Sequence, residues 1–206
     1  MRDYKLVTII GVLVGALVLI PARNLGVSLN LFYIAASIFG FGIFAPIALS
    51  ILKLLARKWR VLEQFGKFAA VGTLNTLVDL GVLNLLILLT EVSSGLPYAG
   101  FKTLSFVAGT TNSYFWNKFW TFGSKASVTA REYARFAVFT LVGAGINVAV
   151  ATSIVTFVGD GGKIFANIGA LVGVFAALFW NFLSYRKFVF KSSANNELKT
   201  NKRIEN

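Results

Sequence analysis

Six stretches of the chain are almost continuously apolar, and short polar segments separate them. They cover residues 6–22, 29–52, 68–89, 97–117, 136–158 and 163–183. A helix needs about 20 apolar residues to cross the hydrocarbon core of a bilayer, with a range of about 17–25. All six stretches fit that length. The pattern therefore predicts an all-α, polytopic membrane protein with six transmembrane helices.

The composition strengthens this prediction and excludes several classes of enzyme. Hydrophobic residues make up 56% of the 206 residues, and only 14% are charged, whereas soluble domains carry about 25% charged residues. The chain has neither Cys nor His, so it lacks thiolate metal ligands and the commonest general base. No phosphate-binding glycine loop precedes a Lys-Ser pair. We therefore expect no catalytic activity, no cofactor and no metal site.

The positive charges are distributed unevenly along the chain. The net charge of +12 would suggest a nucleic-acid partner in a soluble protein. Only Arg23, Lys102 and Lys163 fall on the outer side, however, if the N-terminus is inside, and the remaining seventeen of the 20 basic residues fall on the inner side. The positive-inside rule then places both termini in the cytoplasm. We predict a multi-pass protein of the cell membrane that does not bind nucleic acid.

Composition also divides the chain into three parts. Residues 1–64 form a predicted two-helix hairpin, retained rather than cleaved as a signal peptide, and a basic connector containing Trp59. Residues 65–191 form a predicted four-helix membrane domain. The polar segment 192–206 has almost no large apolar side chain, so it cannot contribute to a core, and we expect a disordered cytoplasmic tail.

The four-helix domain contains an internal repeat with an offset of 68 residues. Phe65–Ala69 aligns with Tyr133–Ala137, and Lys118–Phe122 aligns with Arg186–Phe190, mostly by residue type. Each copy holds two predicted helices, so both copies enter the membrane from the same side. The repeat therefore predicts a duplicated parallel helical hairpin, an organisation found in some transporters.

Asp79 is the only acidic residue deep within an apolar stretch. It lies 12 residues after Lys67, which places it about 18 Å along a helix and near the centre of the bilayer. An acid there costs roughly 2.5–3.5 kcal/mol on insertion scales. Two interpretations remain open: a functional contact with a ligand or proton, and a structural acceptor, protonated or paired with Asn or Thr.

Four Asn residues supply further polar groups inside the predicted bundle. Asn75 precedes Asp79 by one helical turn, and Asn112 lies at a similar depth on the next helix. Asn147 is the repeat partner of Asp79, and Asn181 lies on the last helix. Each amide alone could serve to hold membrane helices together. Together, the four Asn residues and Asp79 are candidate substrate-binding residues in a polar interior.

Basic and aromatic residues recur at the inner ends of both repeats. The basic members are Lys67, Lys118, Arg135, Arg186 and Lys187. Such side chains at headgroup level can hold a lipid phosphate. The same residues are also explained by the aromatic belt and the topology rule. We treat them as candidate phosphate-binding residues.

Several of these segments resemble the GtrA-like family, which shares its fold with the membrane part of some dolichyl-phosphate mannose synthases. The resemblance is carried by Lys67–Asp79, Asn117–Phe122, Arg135-Phe136 and Asn181–Phe190. It implies a four-helix unit that moves a polyprenyl-phosphate-linked sugar across the membrane for cell-surface polysaccharide or glycan biosynthesis. It also implies a separate membrane glycosyltransferase partner. Residues 1–64 are additional to the minimal family pattern.

Three functions remain open from the sequence. The first is a flippase for a lipid-linked sugar, and the second is a scaffold that anchors a glycosyltransferase without transport. The third is a proton-coupled exporter similar to small multidrug transporters, for which Asp79 would be the essential acid. Any of them is compatible with a homo-oligomer.

Overall fold

The computed structural model describes residues 1–56, 60–158 and 162–190. These residues are helical, with short connecting turns and no strand. In chain order the α-helices are α1 (Arg2–Leu17), α2 (Leu19–Asn24), α3 (Leu31–Leu55), α4 (Arg60–Thr90), α5 (Gly95–Trp116), α6 (Ala130–Val158) and α7 (Gly162–Ser184). A π-helix follows α5 directly (Asn117–Thr121), and a second follows α7 (Tyr185–Val189).

Five helical segments among the described residues are long and apolar enough to cross a membrane. They are Arg2–Asn24, Leu31–Leu55, Val61–Thr90, Ala130–Phe157 and Asn167–Val189. The remaining predicted span, 97–117, coincides with α5, which has 22 residues. Lys102 and a group of Ser, Thr and Asn residues make α5 too polar to qualify by composition. The all-α membrane fold is confirmed, and the crossing of the bilayer by α5 stays a prediction.

Helices α1 and α3 pack closely through glycines. An added Cβ at Gly15 would lie 2.5 Å from the Ser37 carbonyl oxygen, and one at Gly11 would meet the Phe41 carbonyl. The Ser37 hydroxyl donates to the Gly15 carbonyl at 2.7 Å. Small residues bring membrane helices close enough for such contacts. This explains why the N-terminal hairpin forms from helices with little amphipathic character.

The chain folds as two compact units, Met1–Thr121 and Phe122–Asn206. In unit 1, buried side chains from α1, α3, α4 and the first π-helix form one apolar cluster. Its members are Val7, Ile10, Val14, Leu49, Val71, Leu74 and Trp120. The N-terminal hairpin is therefore packed against α4. The predicted domain boundary after residue 64 stays a prediction. The packing of the hairpin on α4 joins residues that lie before and after this boundary.

In unit 2, α6 and α7 form a hairpin that is held by glycines and aromatic rings. Gly169 and Gly173 of α7 lie against the α6 backbone, with 2.9 Å between an added Cβ at Gly169 and the Ala151 carbonyl oxygen. At the end where α6 begins, the Phe136 ring stacks on Tyr185 with centroids 4.2 Å apart. Large residues thus fill one end of the hairpin, and small residues allow close contact at the other.

The two π-helices are separated by the same 68 residues as the sequence repeat. This observation is in line with a duplicated hairpin, although the duplication itself stays a prediction. Trp59 of the predicted connector and the predicted disordered tail at 192–206 both lie outside the described residues.

Candidate functional site

Asp79 forms an ion pair inside the α4–α5 hairpin. Its carboxylate accepts from the Lys102 Nζ at 2.6 Å and from the Ser105 hydroxyl. The Ser105 side chain is buried, whereas the Lys102 side chain is 46% exposed. Lys102 lies within α5 and not in an outer loop. The charge of Asp79 is therefore neutralised by a neighbouring helix rather than by an Asn or Thr partner.

Two amides of the α4–α5 hairpin, Asn75 and Asn112, have unused hydrogen-bonding atoms. Asn75 and Asp79 both face Gly109, with 3.4 Å between the Asn75 Oδ1 and an added Cβ at Gly109. The Asn75 Oδ1 acceptor and the Asn112 Nδ2 donor are buried without a hydrogen-bond partner among the described residues. Buried polar atoms normally have a partner. This pair of atoms could therefore receive a hydroxyl-bearing ligand.

Asn147 and Asn181 of unit 2 each pack against a glycine of the facing helix. An added Cβ at Gly173 would lie 2.5 Å from the Asn147 Oδ1. An added Cβ at Gly143 would overlap the amide of Asn181, and the Asn181 Oδ1 is buried without a partner in the described part of the chain. The α4–α5 interface thus carries an ion pair, whereas the described side chains of α6 and α7 form none with each other.

Lys67 belongs to a charged cluster at the N-terminal end of α1. The Asp3 Oδ2 accepts from Lys67 at 2.9 Å and from Lys53 at 3.2 Å, and the Asp3 Oδ1 accepts from the Trp120 Nε1 at 3.0 Å. Glu63 lies 3.3 Å from Lys67 one turn earlier on α4. Lys67 therefore already has two carboxylate partners from its own chain.

The other candidate phosphate-binding residues divide into one buried lysine and three exposed cations. Lys118 is fully buried in the first π-helix, with its Nζ 5.9 Å from the centroids of Tyr114 and Phe119. Arg135, Arg186 and Lys187 are exposed. The three exposed side chains can reach a headgroup as the chain is folded, whereas Lys118 is enclosed by aromatic rings.

Arg135 lies in an open groove of about 660 Å³ on unit 2. The groove is bounded by one face of α6 and by a ring from the second π-helix. Its lining residues are Arg131, Ala134, Arg135, Val138, Phe139 and Phe188. It therefore combines two guanidinium groups with an apolar wall.

The sequence-predicted residues thus fall into separate groups. Asn75, Asp79 and Asn112 lie on the α4–α5 hairpin, and Asn147 and Asn181 lie on the α6–α7 hairpin. The sequence interpretation missed Lys102, Ser105, Asp3 and Arg131. The sequence interpretation uses Lys102 only to assign the outer side of the membrane. Its place within the apolar stretch 97–117 indicates that it has a partner inside the hairpin.

Comparisons with known proteins decide the family. The profile described as "GtrA/DPMS, transmembrane domain" matches residues 67–190. The chain belongs to the GtrA/DPMS transmembrane family. A relative in Bacillus subtilis (strain 168), "Uncharacterized membrane protein YngA", is 30% identical over 135 residues, which cover 66% of this chain and 84% of the relative. No solved structure matches the chain.

The family match and the five apolar helices together establish a multi-pass membrane protein. The matched region begins at Lys67, within α4, and ends at Phe190, just after the second π-helix. Helices α1, α2 and α3 lie outside the matched region. Nothing in the relative's printed name assigns a substrate.

Proposed function

We propose that this protein moves a polyprenyl-phosphate-linked sugar from the inner to the outer leaflet of the cell membrane. The observation that carries the proposal is that two buried polar atoms of the α4–α5 hairpin, which also holds the Asp79–Lys102 ion pair, have no hydrogen-bond partner among the described residues. An acceptor on Asn75 and a donor on Asn112 match the two hydrogen-bonding roles of a sugar hydroxyl. Membership of the GtrA/DPMS family supports a lipid-linked sugar as the substrate.

The proposal assigns different tasks to different parts of the chain. The polar atoms of the α4–α5 hairpin contact the sugar within unit 1, Asn147 and Asn181 offer the corresponding amides within unit 2, and the prenyl chain remains in lipid. The exposed cations Arg135, Arg186 and Lys187 hold the phosphate at the cytoplasmic face. This arrangement needs both termini in the cytoplasm. It also supplies a membrane glycosyltransferase, the proposed partner, with an outlet for its product.

Transport can be measured with the full-length protein in proteoliposomes. A short-chain polyprenyl-phosphate sugar is placed on one leaflet, and its arrival on the other is read from periodate accessibility. We expect Asn75→Leu, Asp79→Ala and Arg186→Ala to slow translocation at least about tenfold, since each removes a charged or buried polar contact. Thr76→Val is the control, because the Thr76 hydroxyl bonds only its own helix at the Gly72 carbonyl. Normal translocation in the first three variants would refute these roles.

A non-transporting scaffold for the glycosyltransferase is the alternative. The exposed face of α3, which includes Phe39, Ile43, Phe44 and Ile47, offers a surface for a partner helix. A scaffold needs this face but not the charge of Asp79. Loss of enzyme abundance on deletion of the gene, with full rescue by Asp79→Asn, would favour the scaffold over transport.

A proton-coupled exporter has weaker physical support. Such a transporter needs a membrane acid that exchanges its proton during the cycle. The Asp79 carboxylate is instead held by Lys102 and Ser105. We therefore do not propose this activity.

A further inference from the structure

Two depressions on the protein surface are lined in part by residues that correspond to each other at the 68-residue offset. One lies in unit 1, between α1, α3 and α4. The other is the open groove of unit 2. Four wall positions recur: Gly66 and Ala134, Lys67 and Arg135, Ala70 and Val138, Trp120 and Phe188. In both cases a cation of the long helix and an aromatic ring of a π-helix line the same depression.

In unit 1 the chain itself supplies an anion at this position. The anion is Asp3, the second residue of α1, an apolar helix that forms one wall of the depression. The Asp3 carboxylate binds Lys67 and Trp120, and Val7 and Ile10 continue into the apolar cluster. The chemistry accepted by this kind of depression is therefore an anion joined to an apolar body.

The groove of unit 2 has two cations, Arg131 and Arg135, and a guanidinium takes the place of a carboxylate of unit 1. The counterpart of Glu63 at the 68-residue offset is Arg131, so a carboxylate is replaced by a guanidinium. Within the part of the chain that the structure describes, no carboxylate forms an ion pair with Arg131 or Arg135. The two arginines are one turn apart, and Val138, Phe139 and Phe188 form the apolar wall beside them.

We propose that the groove of unit 2 binds the phosphate of a membrane lipid. Arginine presents paired donors that match phosphate oxygens, so two guanidinium groups can bind several oxygens of one lipid phosphate. Arg131 and Arg135 lie in the first turns of Ala130–Phe157, where this apolar segment begins. Lipid phosphates are concentrated at that level of a bilayer. The lipid chain continues along Val138 and Phe139.

This inference deepens the proposed function, because it names where the lipid phosphate of the transported molecule is held. It also gives the N-terminal hairpin a role, because Asp3 pairs with the cation of the unit 1 depression. The groove of unit 2 is then the position that remains for an external lipid. Binding is measured without transport. A protein that binds lipid phosphate but does not translocate it would refute the proposed function and leave the site intact.

The first experiment counts bound phosphatidic acid by native mass spectrometry of the full chain in phosphatidylcholine-containing micelles. We expect one tightly bound phosphatidic acid. Arg131→Gln combined with Arg135→Gln should weaken binding by about tenfold or more, since charge-assisted contacts are lost. Lys125→Gln is the matched control, because Lys125 is an exposed cation that does not line the groove. Unchanged binding in the double variant would overturn the proposal.

The second experiment creates a site. Asp3→Asn combined with Glu63→Gln removes both carboxylates that pair with Lys67, so Lys67 should accept a second phosphatidic acid. Adding Lys67→Gln should return the number to one. If the Asp3→Asn/Glu63→Gln variant, shown to be folded by its elution volume and melting temperature, gains no second lipid, the equivalence of the two depressions is wrong.

Two further outcomes identify other occupants. Displacement of phosphatidic acid by millimolar inorganic phosphate would show a site for free phosphate and overturn the lipid assignment. Loss of a copurifying membrane protein in the Arg131→Gln/Arg135→Gln variant, with phosphatidic acid binding unchanged, would show a partner's acidic helix end instead. Either result would refute the proposal as stated.

Discussion

The pairing of Asp79 with Lys102 shows how one hairpin carries charge where the other does not. At an offset of 68, Asp79 corresponds to Asn147 and Lys102 to Ala170. Both members of the ion pair are therefore replaced by uncharged residues in the α6–α7 hairpin. A lone charge in a membrane helix is costly, whereas a pair can be tolerated. The two positions behave as one electrostatic unit.

We expect the stability effects of changing these two residues to be non-additive. Asp79→Asn and Lys102→Ala should each lower the free energy of unfolding by about 1 kcal/mol, the low end for a charge-assisted bond, because the Lys102 side chain is half-exposed. The double variant should recover at least half of the summed loss, since it leaves no unpaired charge. Denaturant unfolding of the full protein in micelles measures all three. Additive losses would show that the pair does not act as a unit.

At the scale of elements, close helix contact depends on which glycines face a neighbour. Gly173 lies against the Asn147 backbone carbonyl, 2.6 Å from an added Cβ, whereas an added Cβ at Gly145 meets nothing within 4 Å. Both glycines lie in long membrane helices. Replacing each of them by alanine therefore separates the effect of interhelical contact on stability from the effect of helix propensity.

Gly173→Ala should destabilise unit 2, because the new methyl group forces α6 and α7 apart. We expect a loss of about 1–3 kcal/mol in the free energy of unfolding. Gly145→Ala should be neutral or stabilising by up to about 1 kcal/mol, since alanine favours the helix. The midpoints of denaturant unfolding in micelles compare the two variants. Equal losses would contradict the α6–α7 contact described above.

Apolar stretches predicted the helices well, because a length of about 20 apolar residues admits few other structures. The partners of charged residues were harder to predict. Asp79 lies 11 residues before the end of α4 and Lys102 seven after the start of α5, an axial mismatch of about 6 Å that a lysine side chain can reach. Predicting the Asp79–Lys102 contact requires the position of the turn between α4 and α5, which hydropathy gives only within several residues. Predicting the Asp3–Lys67 contact requires knowing that α1 packs on α4, and the periodicity of the sequence does not show this packing.

For the whole molecule, α5 decides the topology. If α5 crosses the bilayer, the loops on either side of it face opposite compartments, and the positive-inside rule applies throughout. Its polar residues then lie in the membrane and depend on partners such as Asp79. If it does not cross, α6 and α7 reverse their orientation.

The absence of cysteine allows this topology to be tested directly. Ser94→Cys precedes α5, and Ser127→Cys lies between the first π-helix and α6. We expect a membrane-impermeant maleimide added to intact cells to label Ser94→Cys and to label Ser127→Cys only after permeabilisation. Labelling of both residues from the same side would show that α5 does not cross.

The π-helices have a consequence for comparing or exchanging parts of such proteins. A π-helical turn contains an extra residue relative to an α-helix, so the chain beyond it is rotated by about 100°. Trp120 and Phe188 therefore face directions that α-helical wheels do not give. An alignment by helix period therefore misassigns residues within Asn117–Thr121 and Tyr185–Val189, and a chimera joined within either π-helix would turn its aromatic residue away from the neighbouring cation.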